Sequence, residues 1–208
     1  ADYFRRNAGD WDRVRAMHVD SGAIDTALRN ILLQSEVKDL LDIGTGTGSV
    51  IQLVGREVGA AVGVDASREM LQVARANIAR AALANCQVRQ ADMYQLPFPA
   101  ASFDAVTLHM VLEHVDDPKA LLLAINRILV SGGILFIEVP NLDSLLLKGV
   151  RLYFRLRQRD WSPLLSPLHW PYHCYGYGLK TLHILCRKNG FRIIKAKTVG
   201  LGPRGFRE

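Results

Sequence analysis

From Leu40 onward, short apolar runs alternate with amphipathic stretches, the pattern of a parallel sheet whose buried strands are joined by helices. Lys38–Gly44 (KDLLDIG) reads as a buried strand ending in glycine, and Ser49–Val58 as the helix after it. Ala60–Asp65 (AAVGVD) is a second strand. Ser67 stands at a helix-capping position, and Met70, Leu71, Ala74, Ile78 and Ala81 recur at helical spacing, which predicts a helix to about Ala82. Cys86–Asp92 (CQVRQAD) alternates as a third strand, a turn-rich LPFPAAS follows, and SFDAVTLHMV gives a fourth strand. Asp117-Pro118 opens a helix reaching about Val130. Gly132-Gly133 then breaks it and introduces a fifth strand, ILFIEVP.

The repeat predicts an α/β fold: a Rossmann-like, doubly wound, mostly parallel sheet with helices on both faces. Two parts lie outside it. Residues 1–37 give an aromatic, charged opening and one helix, Ser21 to about Ser35. Residues 141–177 read as irregular, Leu-rich, then basic, then rich in Pro and aromatics. A last helix over about Leu179–Asn189 meets a natural stop at Gly190, and FRIIKAKTVG reads as a closing strand.

Composition adds limits. A chain of 208 residues, 49% apolar and 22% charged, fits one globular domain. No apolar run approaches the roughly 20 residues of a spanning helix, and the opening lacks a signal-peptide apolar segment, so a cytoplasmic protein is expected. Three scattered cysteines, Cys86, Cys174 and Cys186, argue against a disulfide framework or a zinc knuckle. The net charge of +6 is uneven: residues 148–208 carry 13 Lys and Arg against 2 Asp and Glu. That segment suits a nucleic-acid surface or, equally, a solubilising cover.

The chemistry concentrates in LLDIGTGTGS. Gly44, Gly46 and Gly48 follow a buried strand and precede a helix, so the chain turns sharply and a ligand can lie against the backbone. A dinucleotide fingerprint would place its third glycine at 49, where this chain has Ser49. Asp42, just ahead of the glycines, would repel a pyrophosphate but suits the ammonium of an amino-acid ligand. Asp65, ending the second strand, can accept from both hydroxyls of a ribose. Asp92 can accept from an adenine amino group, with the Met93 N–H beside it for a ring nitrogen. Three successive strands thus each end in an acid at the edge where open α/β sheets bind ligands.

These residues resemble the class I S-adenosylmethionine-dependent methyltransferase superfamily. LLDIGTGTGS looks like its first motif, AVGVDAS its second, QADMYQLPFPAASFDAV its third and fourth, and LVSGGILFIEVPN its fifth. The resemblance covers residues 38–140 closely. It implies that Asp42 and the turn through Gly44, Thr45, Gly46 and Gly48 hold the methionine portion of S-adenosyl-L-methionine. It places Asp65, with Ala66, Ser67 and Met70 nearby, at the ribose and Asp92 and Met93 at the adenine. His109 would line the methyl-donor side, and Tyr3 and Trp11 are candidates for a lid. One domain over 1–208 is expected: a lid and helix (1–37), a cofactor core (38–140), a substrate cover (141–177) and a closing helix and strand (178–208).

A sulfonium methyl is already activated, so alignment of the acceptor is the protein's main task. Where a base is needed, His109, Glu113 and His114 in HMVLEHVDDP and His169 and His173 are candidates, with His114 and His173 carried forward as catalytic. No metal is expected, since H-x3-H in a Pro-rich loop lacks a second ligand pair. A small hydrophobic or aromatic acceptor is expected, with O-methylation slightly favoured. The alternatives are an RNA-directed enzyme using the basic segment, or a catalytically silent cofactor-binding domain. An HMVLEH sequence after strand four, where base amino-methylating enzymes carry Asn/Asp-Pro-Pro-aromatic, argues against base methylation.

Overall fold

The computed structural model describes residues 22–143, 145–159 and 173–198. Tyr3, Trp11 and His169 lie outside these. The elements run α1 (Gly22–Gln34), β1 (Asp39–Ile43), α2 (Ser49–Val54), β2 (Ala60–Asp65), α3 (Arg68–Arg80), β3 (Cys86–Gln90) and β4 (Phe103–His109). A 3-10 turn at Leu112–His114 follows, then α4 (Pro118–Ile128), β5 (Leu129–Glu138), α5 (Leu145–Leu156) and α6 (Leu179–Lys188). The five strands form one parallel sheet in the order β3-β2-β1-β4-β5. All strands therefore end at one edge, with β1 central.

Strand periodicity sorts the side chains onto two faces. Leu41, Ile43, Val106 and Leu108 pack with Leu121, Leu122, Ile125 and Ile128 of α4. Leu40 and Ala105 pack instead with α1 (Leu28, Leu32), α2 (Val50, Ile51, Val54) and α3 (Leu71, Ala74, Ile78). Burying one such Leu or Ile is worth about 1.5–3 kcal/mol, so each helix is held by its apolar stripe. Asp42 and Thr107 fall on the second face by the same alternation, at the point where the sheet gives way to the ligand edge.

Several expected boundaries shift. The helix expected over Ser49–Val58 stops at Val54, with Gly55 as its C-cap; a Cβ there would stand 2.6 Å from the Ile51 carbonyl oxygen and 2.7 Å from Cys86 Sγ, so the position requires glycine. The third strand ends at Gln90 because Asp92 turns the chain, its Oδ1 accepting from the Tyr94 N–H at 2.9 Å. Gly132-Gly133 does not separate α4 from β5. It sits inside β5, where the register jumps from Phe103↔Leu129 to Ala105↔Ile134, and Gly132 takes φ 80° in that bulge. The Leu-rich stretch taken as irregular contains α5. Residues 191–198, within the closing strand expected over 191–200, join no sheet, and Ile194 is exposed. Alternation alone makes no strand where no neighbouring ladder is offered.

Candidate active site

The turn after β1 is shaped by its glycines. Gly44, Gly46 and Gly48 all have positive φ (70°, 53° and 79°). At Gly44 a Cβ would stand 2.5 Å from Val111 Cγ2, so both conformation and space require glycine there. The turn is then pinned to β2: the N–H groups of Gly44 and Thr45 both donate to the Val64 carbonyl (2.8 and 3.0 Å). The Gly46 N–H donates to Asp65 Oδ2 at 2.9 Å, and the Ser67 N–H to Asp65 Oδ1 at 2.8 Å. Asp65 is thereby fixed through both oxygens, and each oxygen keeps a lone-pair direction for a ligand hydroxyl. Burial pushes its carboxyl up, while the N–H groups of Ser67, Gly46 and Ala66 work against that rise.

Ser67 caps α3, its hydroxyl accepting from the Met70 N–H at 3.2 Å. Met70 is buried in the core, Ala66 is exposed, and Met93 is half-buried. Asp92 is exposed two residues beyond β3, at the same edge as Asp42 and Asp65.

Asp42 is 2% exposed and accepts from the Thr107 hydroxyl at 2.7 Å, across the β1–β4 pair. Burial raises its carboxyl above the ordinary range; the hydroxyls of Thr107 and Thr45 and the nearby His109 oppose the rise, and Asp65 adds to it. A cleft opens above, lined by Asp42, Gly44, Thr45, Gly46, His109 and Met110. Met110 holds φ 56°, a conformation that a side-chain-bearing residue adopts only under constraint from its surroundings. It ends β4 and turns the chain past the cleft.

His109 and Glu138 are cross-strand partners, the last residues of β4 and β5, and His109 Nδ1 lies against Glu138 Oε2. Sequence reasoning missed Glu138, hidden at the end of an apolar run. The available signal was positional, since it is one more acid ending a strand at the ligand edge.

Beyond β4 the structure joins two candidates that are 59 positions apart. The rings of His114 and His173 meet edge to face with centroids 4.9 Å apart. The main chain holds them together, the N–H groups of Cys174 and Tyr175 donating to the Glu113 carbonyl at 2.7 and 3.2 Å. Glu113 is 2% exposed, and neither of its carboxylate oxygens has a hydrogen-bond partner. Burial, with Glu138 nearby, pushes its carboxyl up to about 8. Burial and the neighbouring His114 lower His173 to about 4, so its imidazole is neutral at physiological pH. The half-buried Cys174 thiol points to the His114 carbonyl (3.7 Å) and Asp116 Oδ1 (3.6 Å).

A glycine turn clamped to an acid, beside a buried acid at the carboxyl ends of a parallel sheet, defines an α/β protein built to hold a nucleoside-type ligand. Comparison with known proteins sharpens the class. A family model described as "Methyltransferase domain" matches residues 41–137. The ubiquinone/menaquinone biosynthesis C-methyltransferase UbiE of Teredinibacter turnerae is 36% identical over 170 residues, 74% of this chain and 68% of that protein. The ubiquinone biosynthesis O-methyltransferase of Paracidovorax citrulli is 32% identical over 103 residues, 49% of this chain and 43% of that protein. Among solved structures, the YcgJ protein of Bacillus subtilis is 25% identical, with TM-score 0.59 over 77% of this chain and 66% of that one. The chain belongs to the class I S-adenosylmethionine-dependent methyltransferase superfamily, whose cofactor is S-adenosylmethionine. The fold of the sheet agrees with that assignment. Among the described residues no helix is long and apolar enough to cross a membrane.

Proposed function

We propose that this protein transfers the methyl group of S-adenosylmethionine to a small apolar aromatic acceptor carrying a phenolic or quinol hydroxyl. The observation that carries the cofactor half is the Asp65 clamp: a carboxylate held by two backbone N–H groups at 2.8 and 2.9 Å, with lone pairs left for a ribose. Asp42 lines the adjoining cleft and suits the cofactor's ammonium. Asp92, exposed two residues past the end of β3, suits the adenine amino group on this reading. The acceptor half rests on the relatives named for quinone methylation and on the His109 end of the cleft, with His114 and His173 beyond it. His114 is the better placed of the two to take the proton of an acceptor hydroxyl, since His173, lowered to about 4, is the weaker base; the phenolate left behind reacts at oxygen or at the neighbouring ring carbon. The sequence leans slightly to oxygen; the C-methyltransferase relative, matched over more of its length, supports carbon. RNA as acceptor finds no support in these relatives, and a salt-independent affinity for the acceptor would separate the readings.

The test is calorimetric titration with S-adenosylmethionine and its demethylated product, followed by a panel of phenols and quinols with mass analysis of the methylated atom. Binding of both compounds is expected, with Asp65→Ala weakening them by at least about tenfold for the lost charge-assisted hydrogen bonds. No binding by the parent, or equal binding by Asp65→Ala, would remove the cofactor assignment.

A further inference from the structure

Beyond β4 the structure gathers a trio of metal-ligating side chains, Glu113, His114 and His173. Glu113 is sealed from solvent, neither of its side-chain oxygens has a hydrogen-bond partner, and His114 Nε2 stands 4.0 Å from Oε1, too far for a hydrogen bond but close enough for both to reach one ion. It shares its surroundings with two imidazoles. One ligand atom from each of Glu113, His114 and His173 lies within 4.8 Å of the other two. The Cys174 thiol, though adjacent, is turned toward Asp116 and the His114 carbonyl.

We infer that Glu113, His114 and His173 bind a divalent cation of the zinc class. Two imidazole nitrogens and one carboxylate oxygen suit zinc or a late first-row transition ion, not magnesium or calcium, which prefer oxygen throughout. Bonds of about 2.0–2.2 Å require each ligand atom to close in by roughly 1 Å, within reach of side-chain rotation. Glu113 and His114 come from one 3-10 turn, and His173 is carried in by a strand of chain already hydrogen-bonded to the Glu113 carbonyl, so the scaffold is present before the ion. The His114 side chain keeps 21% exposure, which leaves a side of the trio open for water or an acceptor oxygen. Bound there, an acceptor hydroxyl would be made more acidic by the ion and would release its proton to water. That role rests on the proposed acceptor, whereas binding of the ion does not.

The test uses the whole chain, stripped with a chelator and free of cofactor and acceptor. Zinc chloride is titrated by calorimetry, and cobalt chloride is followed by its visible absorption. One ion per chain is expected, with a cobalt band of nitrogen–oxygen coordination and a zinc-dependent rise in melting temperature that chelator reverses. Glu113→Gln and His173→Asn should each weaken zinc by at least about a hundredfold, since even changes behind the ligands cost 10–100-fold. His183→Asn, on α6, should leave affinity within about threefold. Circular dichroism of the two ligand variants separates loss of the site from loss of the fold. Absence of both the cobalt band and the melting shift in the parent would overturn the inference, as would zinc affinity that Glu113→Gln and His173→Asn leave intact. Because neither cofactor nor acceptor is present, failure here leaves the methyl-transfer reading standing, and failure of that reading leaves this one.

Discussion

The two halves of the ligand edge are finished to different degrees. Around β1 and β2 the chain partners its own acids: Gly46 and Ser67 close on Asp65, and Thr107, reaching across from β4, closes on Asp42. On the β4–β5 side polar groups are collected without being completed: Glu113 stays unpartnered, and two imidazoles meet through their rings. The first half is preorganised, with dipoles and carboxylates set in place before any ligand arrives, so little is lost to ordering on binding. The second is assembled from distant segments and waits for an acceptor, a proton or an ion.

The sharpest break between the halves is expected at His173. His173→Asn should lower turnover of the best phenol of the panel by at least about a hundredfold, as losses of a proton-accepting or ligating group do. Affinity for S-adenosylmethionine, read by calorimetry, should stay within about twofold. Equal loss of both would merge the halves into one site.

Asp42→Asn probes the opposite side with a smaller effect and a sign that reverses between function and stability. Cofactor affinity should drop by about tenfold, the cost of an ionic partner for an ammonium. Stability should rise by on the order of 1 kcal/mol at a pH above the raised folded value, where the parent must carry an ionised carboxylate in a buried place. Asp42 is raised in the folded state, so the native chain holds its proton more tightly than the unfolded chain. The parent therefore loses stability as pH climbs from the unfolded value, about 3.9, through the raised folded one. The advantage of Asn should shrink to nothing in melts below about pH 4 and be complete above the folded value. A pH-independent difference would mean that Asp42 is not the group responsible.

The smallest change is Ser67→Ala. Removing the cap on α3 should cost about 1 kcal/mol in a denaturant melt. Cofactor affinity should hardly move, since the Ser67 main-chain N–H still grips Asp65. A large loss of affinity would show that the hydroxyl itself meets the ligand.

Legibility followed distance along the chain. Asp42, the glycines and Asp65 lie within 24 residues of one another, and local rules of strands, turns and caps suffice to place them. The strands β1, β2 and β4 followed from the same apolar runs, whereas their order in the sheet is set by pairings that no local pattern encodes. His114 and His173 were each visible as candidates, but their meeting depends on a return of the chain after β5 that no local spacing encodes. The metal-ligand reading suffered for the same reason: His173 was weighed against its neighbour in sequence, His169, and not against Glu113 and His114. Glu138 was absorbed into the hydrophobic pattern of its strand. Gly132-Gly133 misled because glycine pairs serve equally as breaks and as bulges, and only the neighbouring ladder decides between them.

The central position of β1 has an outcome for how such a molecule can change. Strands two and three lie to one side of it and strands four and five to the other. On the proposed reading, changes to the chain beyond Val111 and after β5 would alter what is methylated while leaving the Asp65 clamp and the Asp42–Thr107 pair in place. Substrate choice and methyl supply can thus drift independently, with a single strand as the hinge of their inheritance.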